Sequence, residues 1–202
     1  METQISQKDR DQIEAGIRDK YVKVADSPEG LFEYPTGLAG LEGLNYDPGL
    51  IRILPKAVAA SYCGVGNPFS LGPVDEGEAV LDIGCGAGVD TILAAMMSGP
   101  SGKAAGVDIM PELLQRAEEN LRMTDLDNVT FQRASGEKLP FEDSQFDVVT
   151  SNGAINLIPD KAATLKEIMR VLKPGGRLMA ADQIMVGRLQ KDIKARLASW
   201  FR

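Results

Sequence analysis

Three alternate glycines follow an apolar run in the segment AVLDIGCGAGVDT, residues 79–91. They are Gly84, Gly86 and Gly88, and Asp82 lies two residues before the first of them. The dinucleotide-binding fingerprint is G-x-G-x-x-G, whereas Val89 stands where that fingerprint has its last glycine. A carboxylate at position 82 would repel a pyrophosphate and attract an ammonium group. The segment therefore argues against an NAD-linked oxidoreductase and predicts a cationic ligand without phosphate.

A second acidic residue, Asp108, ends the next predicted strand, about 20 residues beyond the glycines. In sheets of this class, an acidic residue at that place binds ribose hydroxyls. S-adenosylmethionine carries an amino-acid end, a sulfonium and a ribose, and it has no phosphate. The glycines and the two acidic residues match that molecule better than a dinucleotide.

Strand and helix patterns alternate from residue 79 onward. Strands are predicted at 79–84, 103–108, 128–133, 146–151 and 176–182, and helices at about 88–98, 111–123 and 160–172. This alternation predicts right-handed crossovers and a doubly wound, mainly parallel α/β sheet. Ligands of such sheets bind beyond the carboxyl ends of the strands. We therefore expect the loop after Ile83, Asp108 and the strand end at Ser151–Asn152 to meet around one crevice.

The N-terminal part follows a different pattern. Charged and apolar residues alternate at helical spacing over residues 6–25, which predicts an amphipathic helix. Glycine and proline recur over residues 26–49, which predicts a long loop, and a short helix is expected over 50–62. We predict a helical cap or lid at residues 1–75 and a ligand-binding domain at residues 76–202. The terminal segment KDIKARLASWFR is predicted to form a further amphipathic helix.

Composition excludes several classes of function. The net charge of −7 argues against a nucleic-acid partner. No apolar run approaches the roughly 20 residues of a membrane helix, and no signal peptide is visible, so we expect a soluble, cytoplasmic protein without a membrane partner. The chain has no histidine, which removes the usual general base. Its two cysteines, Cys63 and Cys85, lack metal-ligand spacing, so no metal site is expected.

The chain resembles the class I S-adenosylmethionine-dependent methyltransferases, in particular the type 11 and arsenite methyltransferase-like branch. VLDIGCGAG is similar to their first motif and GVDIMPELLQRAEEN to their second. GEKLPFEDSQFDVV resembles the loop and strand before the fourth motif, and EIMRVLKPGGRL the helix-turn-strand after it. The resemblance implies a Rossmann-like class I methyltransferase fold. It also implies an enzyme that methylates a small-molecule acceptor and releases S-adenosylhomocysteine.

The same resemblance implies a set of cofactor contacts. The glycines would bring the backbone against the methionine moiety, Asp82 would support its amino group, and Asp108 would take both ribose hydroxyls. Relatives have an aspartate where Ser135 stands in the loop that meets the adenine amine, so that contact is expected to be weaker or to use the two following residues. The full predicted set is Asp82, Gly84, Cys85, Gly86, Gly88, Asp108, Ile109, Met110, Ser135, Gly136, Glu137, Asn152 and Gly153.

The methyl acceptor is less well defined by the sequence. SYCGVGNPF and SNGAINLIPDK resemble segments of the arsenite methyltransferases, in which cysteine thiolates surround As(III), a soft ion. Val65 and Gly153 stand where those members have cysteines, and Cys63 alone cannot form a trigonal site. Glu137, Tyr21 and water remain alternative bases, so no catalytic residue is assigned. Polar residues predicted to face the acceptor are Tyr21, Tyr62, Asn67 and Asn156.

Two further alternatives concern the whole chain. A class I methyltransferase sheet has seven strands and ends in an antiparallel hairpin, whereas this sequence predicts no hairpin after its fifth strand. Either the chain is truncated or the protein lacks the hairpin, and the exposed sheet edge predicts a homo-oligomer or a compromised catalyst. The alternatives to a methyltransferase with another small acceptor are a non-catalytic S-adenosylmethionine-binding protein and an arsenite methyltransferase despite the missing cysteines.

Overall fold

A parallel five-stranded sheet forms the centre of the computed structural model, which describes residues 7–184. The strands run in the order β3-β2-β1-β4-β5, so β2 and β3 lie on one side of β1 and β4 and β5 on the other. The winding direction therefore reverses between β1 and β4, which is where open α/β sheets bind ligands. The strands are β1 (Ala79–Ile83), β2 (Lys103–Asp108), β3 (Val129–Arg133), β4 (Phe146–Asn152) and β5 (Leu172–Ala181).

Helices cover both faces of the sheet. Leu81 and Ile83 of β1 pack in one apolar cluster with Ile168 of α7, whereas Val80 packs in another with Ala94 of α5. This alternation follows from the two-residue period of a strand. The predicted doubly wound α/β fold is confirmed. The helices are α1 (Gln7–Asp26), α2 (Gly37–Gly43), α3 (Pro48–Ile53), α4 (Lys56–Ala60), α5 (Val89–Ser98), α6 (Pro111–Leu121) and α7 (Lys161–Val171).

The predicted long loop and the single short helix after it were wrong. The region predicted as a loop contains α2 and the start of α3. Helix α3 begins there because Asp47 caps it, accepting hydrogen bonds from the N–H groups of Gly49 and Leu50 at 2.6 and 3.4 Å. The expected helix over 50–62 divides into α3 and α4. Leu54 is extended before Pro55, and a residue that precedes proline is disfavoured in the helical region.

The fifth strand begins earlier than predicted, at Leu172 rather than at residue 176. Phe146 pairs with Leu172 and Val148 pairs with Arg177, so an irregularity between these pairs absorbs the extra residues of β5. The sequence Pro174-Gly175-Gly176 therefore forms a bulged part of the strand and does not precede it. The predicted C-terminal amphipathic helix lies outside the described residues.

The N-terminal segment, residues 7–75, is called the cap below and packs against α5, α6 and, through Phe69 and Val74, the strands β4 and β5. Arg116 of α6 donates from Nε to the carbonyl oxygen of Ala25 at 2.8 Å, which ties the end of α1 to α6. The short helices pack on α5 in a cluster that includes Leu41, Val58 and Ile92. The division of the chain at residues 75 and 76 stays a prediction. Within residues 7–184, no helix combines the length and apolarity required to cross a bilayer.

Candidate cofactor-binding site

A cavity of about 570 Å³ lies at the carboxyl ends of β1, β2 and β4. Its wall includes the loop after β1, the end of β2 at Asp108, and Asn152 and Gly153 at the end of β4. Helix α1 closes it from the cap side through residues that include Ile17 and Tyr21. Small-molecule sites commonly measure about 300–1,000 Å³, so the cavity is large enough for a nucleoside-sized ligand. The crevice expected from the strand order is therefore present.

The three glycines after β1 serve different purposes. All three have positive φ, of 71°, 53° and 80°. A Cβ at Gly84 would lie 2.2 Å from Cβ of Ala154, and one at Gly88 would lie 2.6 Å from the Phe131 ring. A Cβ at Gly86 would meet nothing within 4 Å. Gly84 and Gly86 line the cavity, and Gly88 lies outside its lining, where it permits α5 to pack against β3 and α6.

Asp108 fixes the glycine loop to the end of β2. Its Oδ2 accepts a hydrogen bond from the N–H of Gly86 at 3.0 Å, and its Oδ1 accepts one from the N–H of Met110 at 2.9 Å. The side chain is buried but lines the cavity. Burial raises the pKa of Asp108, and the backbone hydrogen bonds act in the opposite direction. The carboxylate is thus held rigidly at the cavity wall.

Asp82 lies below the glycine loop and is only 2% exposed. Its Oδ2 accepts from the hydroxyl of Thr91 at 2.7 Å, and its Oδ1 accepts from the hydroxyl of Thr150 at 3.1 Å. Burial, followed by the nearby charge of Asp90, raises the pKa of Asp82, and the two hydroxyl donors lower it. Neutral donors therefore orient this carboxylate without neutralising it.

A buried polar network joins the cap to the end of β4. Nδ2 of Asn152 donates to Oδ2 of Asp90 at 2.9 Å and to the carbonyl oxygen of Gly66 at 2.8 Å. Oδ1 of Asn152 accepts from the N–H groups of Val65 and Gly66 at 2.9 and 3.1 Å. The hydroxyl of Tyr46 donates to Oδ1 of Asp90 at 2.8 Å. The amide of Asn152 thus ties the cap to the end of β4, and its predicted contact with the cofactor stays a prediction.

The sequence did not predict Asp90 at the cavity, nor Tyr46 as its hydrogen-bond partner. Asp90 lines the cavity in the first turn of α5, and burial raises its pKa against the hydrogen bonds from Asn152 and Tyr46. Together with Asp82 and Asp108 it makes three buried carboxylates in one cavity. None of the three forms a salt bridge with a lysine or arginine among residues 11–184. Buried charges in proteins are usually paired, so this wall suits a ligand that brings positive charge.

Comparison with known proteins assigns the family. The profile of a family described as a methyltransferase domain matches residues 74–201. An arsenite methyltransferase of Halobacterium salinarum is 32% identical over an alignment of 207 positions, which covers 96% of this chain and 53% of that protein. The chain belongs to the class I S-adenosylmethionine-dependent methyltransferases. The family predicted from the four motifs is confirmed.

Solved structures of methyltransferases are similar in fold to this chain. The crystal structure of an arsenic(III) S-adenosylmethionine methyltransferase from Chlamydomonas reinhardtii has 36% identity and a TM-score of 0.61 over 74% of this chain and 50% of that one. A methyltransferase from Aquifex aeolicus has 23% identity and a TM-score of 0.56, covering 80% and 81% of the two chains, and shares the fold. A demethylmenaquinone methyltransferase of Listeria welshimeri is 38% identical over 54% of this chain and 46% of that protein. The chain spans about half the length of the curated relatives it matches.

Most other predicted cofactor residues of this methyltransferase also line the cavity. The hydroxyl oxygen of Ser135 accepts from the N–H of Glu137 at 3.2 Å, and Oε1 of Glu137 accepts from the N–H of Asp160 at 2.8 Å. Burial, followed by the charge of Asp108, raises the pKa of the Cys85 thiol, which is therefore an apolar filler of the wall. The predicted residues in the lining are Asp82, Gly84, Cys85, Gly86, Asp108, Ile109, Met110, Ser135, Gly136, Glu137, Asn152 and Gly153.

The four predicted acceptor residues occupy three different places. Tyr21 and Tyr62 line the cavity, although the hydroxyl of Tyr62 donates to the carbonyl oxygen of Gly66 at 2.8 Å within the cap network. Asn67 is outside the lining and caps a 3₁₀ turn by accepting from the N–H of Phe69 at 3.0 Å. Asn156 lies in a smaller niche beside the cavity. The structure therefore brings two of these residues to the cavity itself.

Proposed function

We propose that this chain binds S-adenosylmethionine in the cavity at the ends of β1 and β2 and methylates a small-molecule acceptor. The observation that carries the proposal is the set of three buried carboxylates without a salt-bridge partner among residues 11–184, beside a glycine loop with open space at Gly86. The cofactor of this family carries an ammonium group and a sulfonium. Both charges complement the wall.

Each part of the wall has a role in binding. Asp82, oriented by Thr91 and Thr150, would attract the ammonium group. Asp108 would accept from the ribose hydroxyls, since each of its oxygens has received only part of its hydrogen-bonding capacity from the backbone. The backbone at Gly86 would allow close approach because no side chain intervenes.

When bound, S-adenosylmethionine supplies an electrophilic methyl group that a lone pair of the acceptor can displace from sulfur. The chain contributes orientation and exclusion of water, through the rigid strand ends and the covering helix α1. Burial strongly raises the pKa of Tyr21 and raises the pKa of the Cys63 thiol to about 12, so neither group is a base near neutral pH. Glu137, which lines the cavity, and water remain the alternative acceptors for the proton, and the main contribution of the chain would be positioning.

Calorimetry tests the cofactor assignment directly. We expect S-adenosylmethionine and S-adenosylhomocysteine to bind at micromolar concentrations and NAD not to bind. Asp108→Asn should weaken both by at least about tenfold, because a charge-assisted acceptor is lost. Asp127→Asn, at an exposed carboxylate outside the cavity lining, is the matched control and should bind like the wild type. Preferential binding of NAD, or an unchanged Asp108→Asn variant, would refute the assignment.

Arsenite is a second candidate acceptor because relatives in two comparisons are named for it. In this chain the two positions expected to carry thiolates are in contact as Val65 and Gly153, since a Cβ at 153 would lie 3.1 Å from Cγ1 of Val65. The thiols of Cys63 and Cys85 lie in the same lining, and burial raises the pKa of both. Two protonated thiols do not supply the three thiolates of a trigonal As(III) site. We therefore favour an organic molecule as the methyl acceptor. Transfer of a labelled methyl group to such a molecule would also distinguish an enzyme from a non-catalytic binding protein.

A further inference from the structure

One face of α1 forms the cap side of the main cavity. Asp11, Glu14, Arg18 and Tyr21 all line the cavity and follow one another at intervals of three and four residues, which places them on one side of the helix. Asp11 and Glu14 are exposed, whereas Tyr21 is mostly buried. None of these four residues belongs to the set proposed to bind the cofactor. This face is therefore available to the methyl acceptor.

The wall of the cavity is acidic. Six carboxylates and two guanidinium groups line it, which is a formal charge of −4 when all are ionised. Both guanidinium groups are engaged, because Nη2 of Arg18 lies 3.5 Å from Oε1 of Glu112 and Nε of Arg133 donates to the carbonyl oxygen of Ile109 at 3.1 Å. S-adenosylmethionine brings one net positive charge, so the wall stays acidic with the cofactor bound, even when two of the buried carboxylates hold protons. A cleft lined by one sign of charge concentrates ligands of the opposite sign. The six carboxylates belong to Asp11, Glu14, Asp82, Asp90, Asp108 and Glu137.

The hydroxyl of Tyr21 makes no hydrogen bond with any residue among 11–184, and its oxygen keeps some accessible surface. The hydroxyls of the two other tyrosines in the lining are satisfied, since Tyr34 donates to the carbonyl oxygen of Cys63 at 3.1 Å and Tyr62 to that of Gly66 at 2.8 Å. Burial raises the pKa of Tyr21, so its hydroxyl stays neutral and can accept a hydrogen bond as well as donate one. Polar groups in mostly buried positions nearly always have a partner, so this hydroxyl indicates a polar group on the ligand.

We infer that the methyl acceptor is a small amine, which enters as an ammonium ion and donates an N–H to the hydroxyl oxygen of Tyr21. Asp11 and Glu14 attract it to the cavity, whereas the acidic wall repels a carboxylate that could also bond to this hydroxyl. The inference rests on the proposed function for the transfer step, in which the ammonium first gives one proton to Glu137 or to water. Its nitrogen lone pair then forms the bond to the methyl carbon, and the electron pair of the broken carbon–sulfur bond stays on sulfur. Each turnover therefore yields a methylated ammonium ion, S-adenosylhomocysteine and one proton.

Propylamine, propanol and propionate are the probes that test it, since their end groups are positive, neutral and negative near neutral pH. Their affinities are measured by ligand-observed NMR for the protein alone and for the protein saturated with S-adenosylhomocysteine. We expect the wild type to prefer propylamine over propanol by about tenfold and to bind propionate most weakly. Tyr21→Phe should weaken propylamine binding by about tenfold, the effect of one hydrogen bond to a charged group, and Glu14→Gln by about threefold. Neither variant should change the affinity for S-adenosylhomocysteine.

Two further variants serve as controls. Tyr34→Phe removes a cavity hydroxyl that already bonds to the protein, and it should keep the preference for propylamine. Glu29→Gln, at an exposed carboxylate outside the cavity lining, should bind all three probes like the wild type. Equal affinities for propylamine and propanol in the wild type, tighter binding of propionate, or an unchanged propylamine affinity in folded Tyr21→Phe would overturn the inference. Failure of S-adenosylhomocysteine to bind, with the preference for propylamine intact, would instead refute the proposed function alone.

Discussion

Asn152→Asp is expected to make the network between the cap and the sheet depend on pH. In the wild type, the amide nitrogen of Asn152 donates to Asp90, and its oxygen accepts from the N–H groups of Val65 and Gly66. Aspartate at this position keeps the acceptor but replaces the donor with a second carboxylate oxygen, where the original distance to Asp90 is 2.9 Å. Two carboxyl groups this close cannot both ionise, so the folded protein will hold one shared proton.

The size of the effect follows from proton linkage. Each proton that the folded state holds and the unfolded state has lost reduces stability by about 1.4 kcal/mol per pH unit. Burial already raises the pKa of Asp90 in the wild type, so the free energies of unfolding of the two proteins diverge only above that pKa. Over two further pH units, the variant should lose about 3 kcal/mol relative to the wild type. That is a large part of the roughly 5–15 kcal/mol by which domains are stable.

Urea unfolding between about pH 6 and about pH 8.5 measures this loss. The decisive comparison is the exchanged pair, Asp90→Asn with Asn152→Asp, in which one amide and one carboxylate again face each other. We expect the exchange to restore the wild-type pH dependence, although each single variant is destabilised. The account of the network is wrong if the free energy of unfolding of Asn152→Asp has the same pH dependence as that of the wild type. It is also wrong if the exchanged pair retains the steep pH dependence of the single variant.

Three other predictions follow. Because burial raises the pKa of all three cavity carboxylates, the folded protein binds protons that the unfolded chain has lost. The stability of the ligand-free protein should therefore fall as the pH rises from about 4 to about 7. A melting temperature that rises over this pH range would contradict the prediction. A cationic ligand favours the ionised carboxylates, so S-adenosylmethionine should release protons on binding, seen as a calorimetric enthalpy that varies with the buffer. Gly84→Ala should cost about 1–3 kcal/mol, from a positive φ and a Cβ 2.2 Å from that of Ala154, and Gly43→Ala, with open space around it, should be near neutral in the same unfolding assay.

Local patterns account for what the sequence predicted well. The five strands and the helices between them each fall within a few residues of their predicted positions, because apolar runs and glycine or proline boundaries are short-range signals. Asp82 and Asp108 lie in the cavity because the carboxyl ends of parallel strands meet at one edge of the sheet. Fold class and the position of the cavity were therefore accessible from the sequence.

Features that depend on residues distant in the sequence could not be predicted from it. Asp90 bonds to Tyr46 and Asn152, which are 44 and 62 residues away in the sequence, and no spacing rule connects them. The hydrogen bonds between the amide of Asn152 and the cap were likewise not predicted, because their partners lie about 90 residues earlier in the sequence. The start of β5 was missed for a similar reason, because its irregular pairing with β4 is decided by the partner strand.

The network around Asn152 also bears on the order in which the chain is made. Tyr62 and Asn152 are 90 residues apart, so the cap leaves the ribosome well before the strand end that holds it. At roughly 5–20 residues per second, that interval lasts about 5 to 18 s. During this time the N–H groups of Val65 and Gly66 lack the amide oxygen that accepts from them in the folded protein, although the two tyrosine hydroxyls can already bond within the cap and to Asp90. The cap can therefore reach its final position only after β4 has been synthesised, which makes its docking a late step of folding during translation.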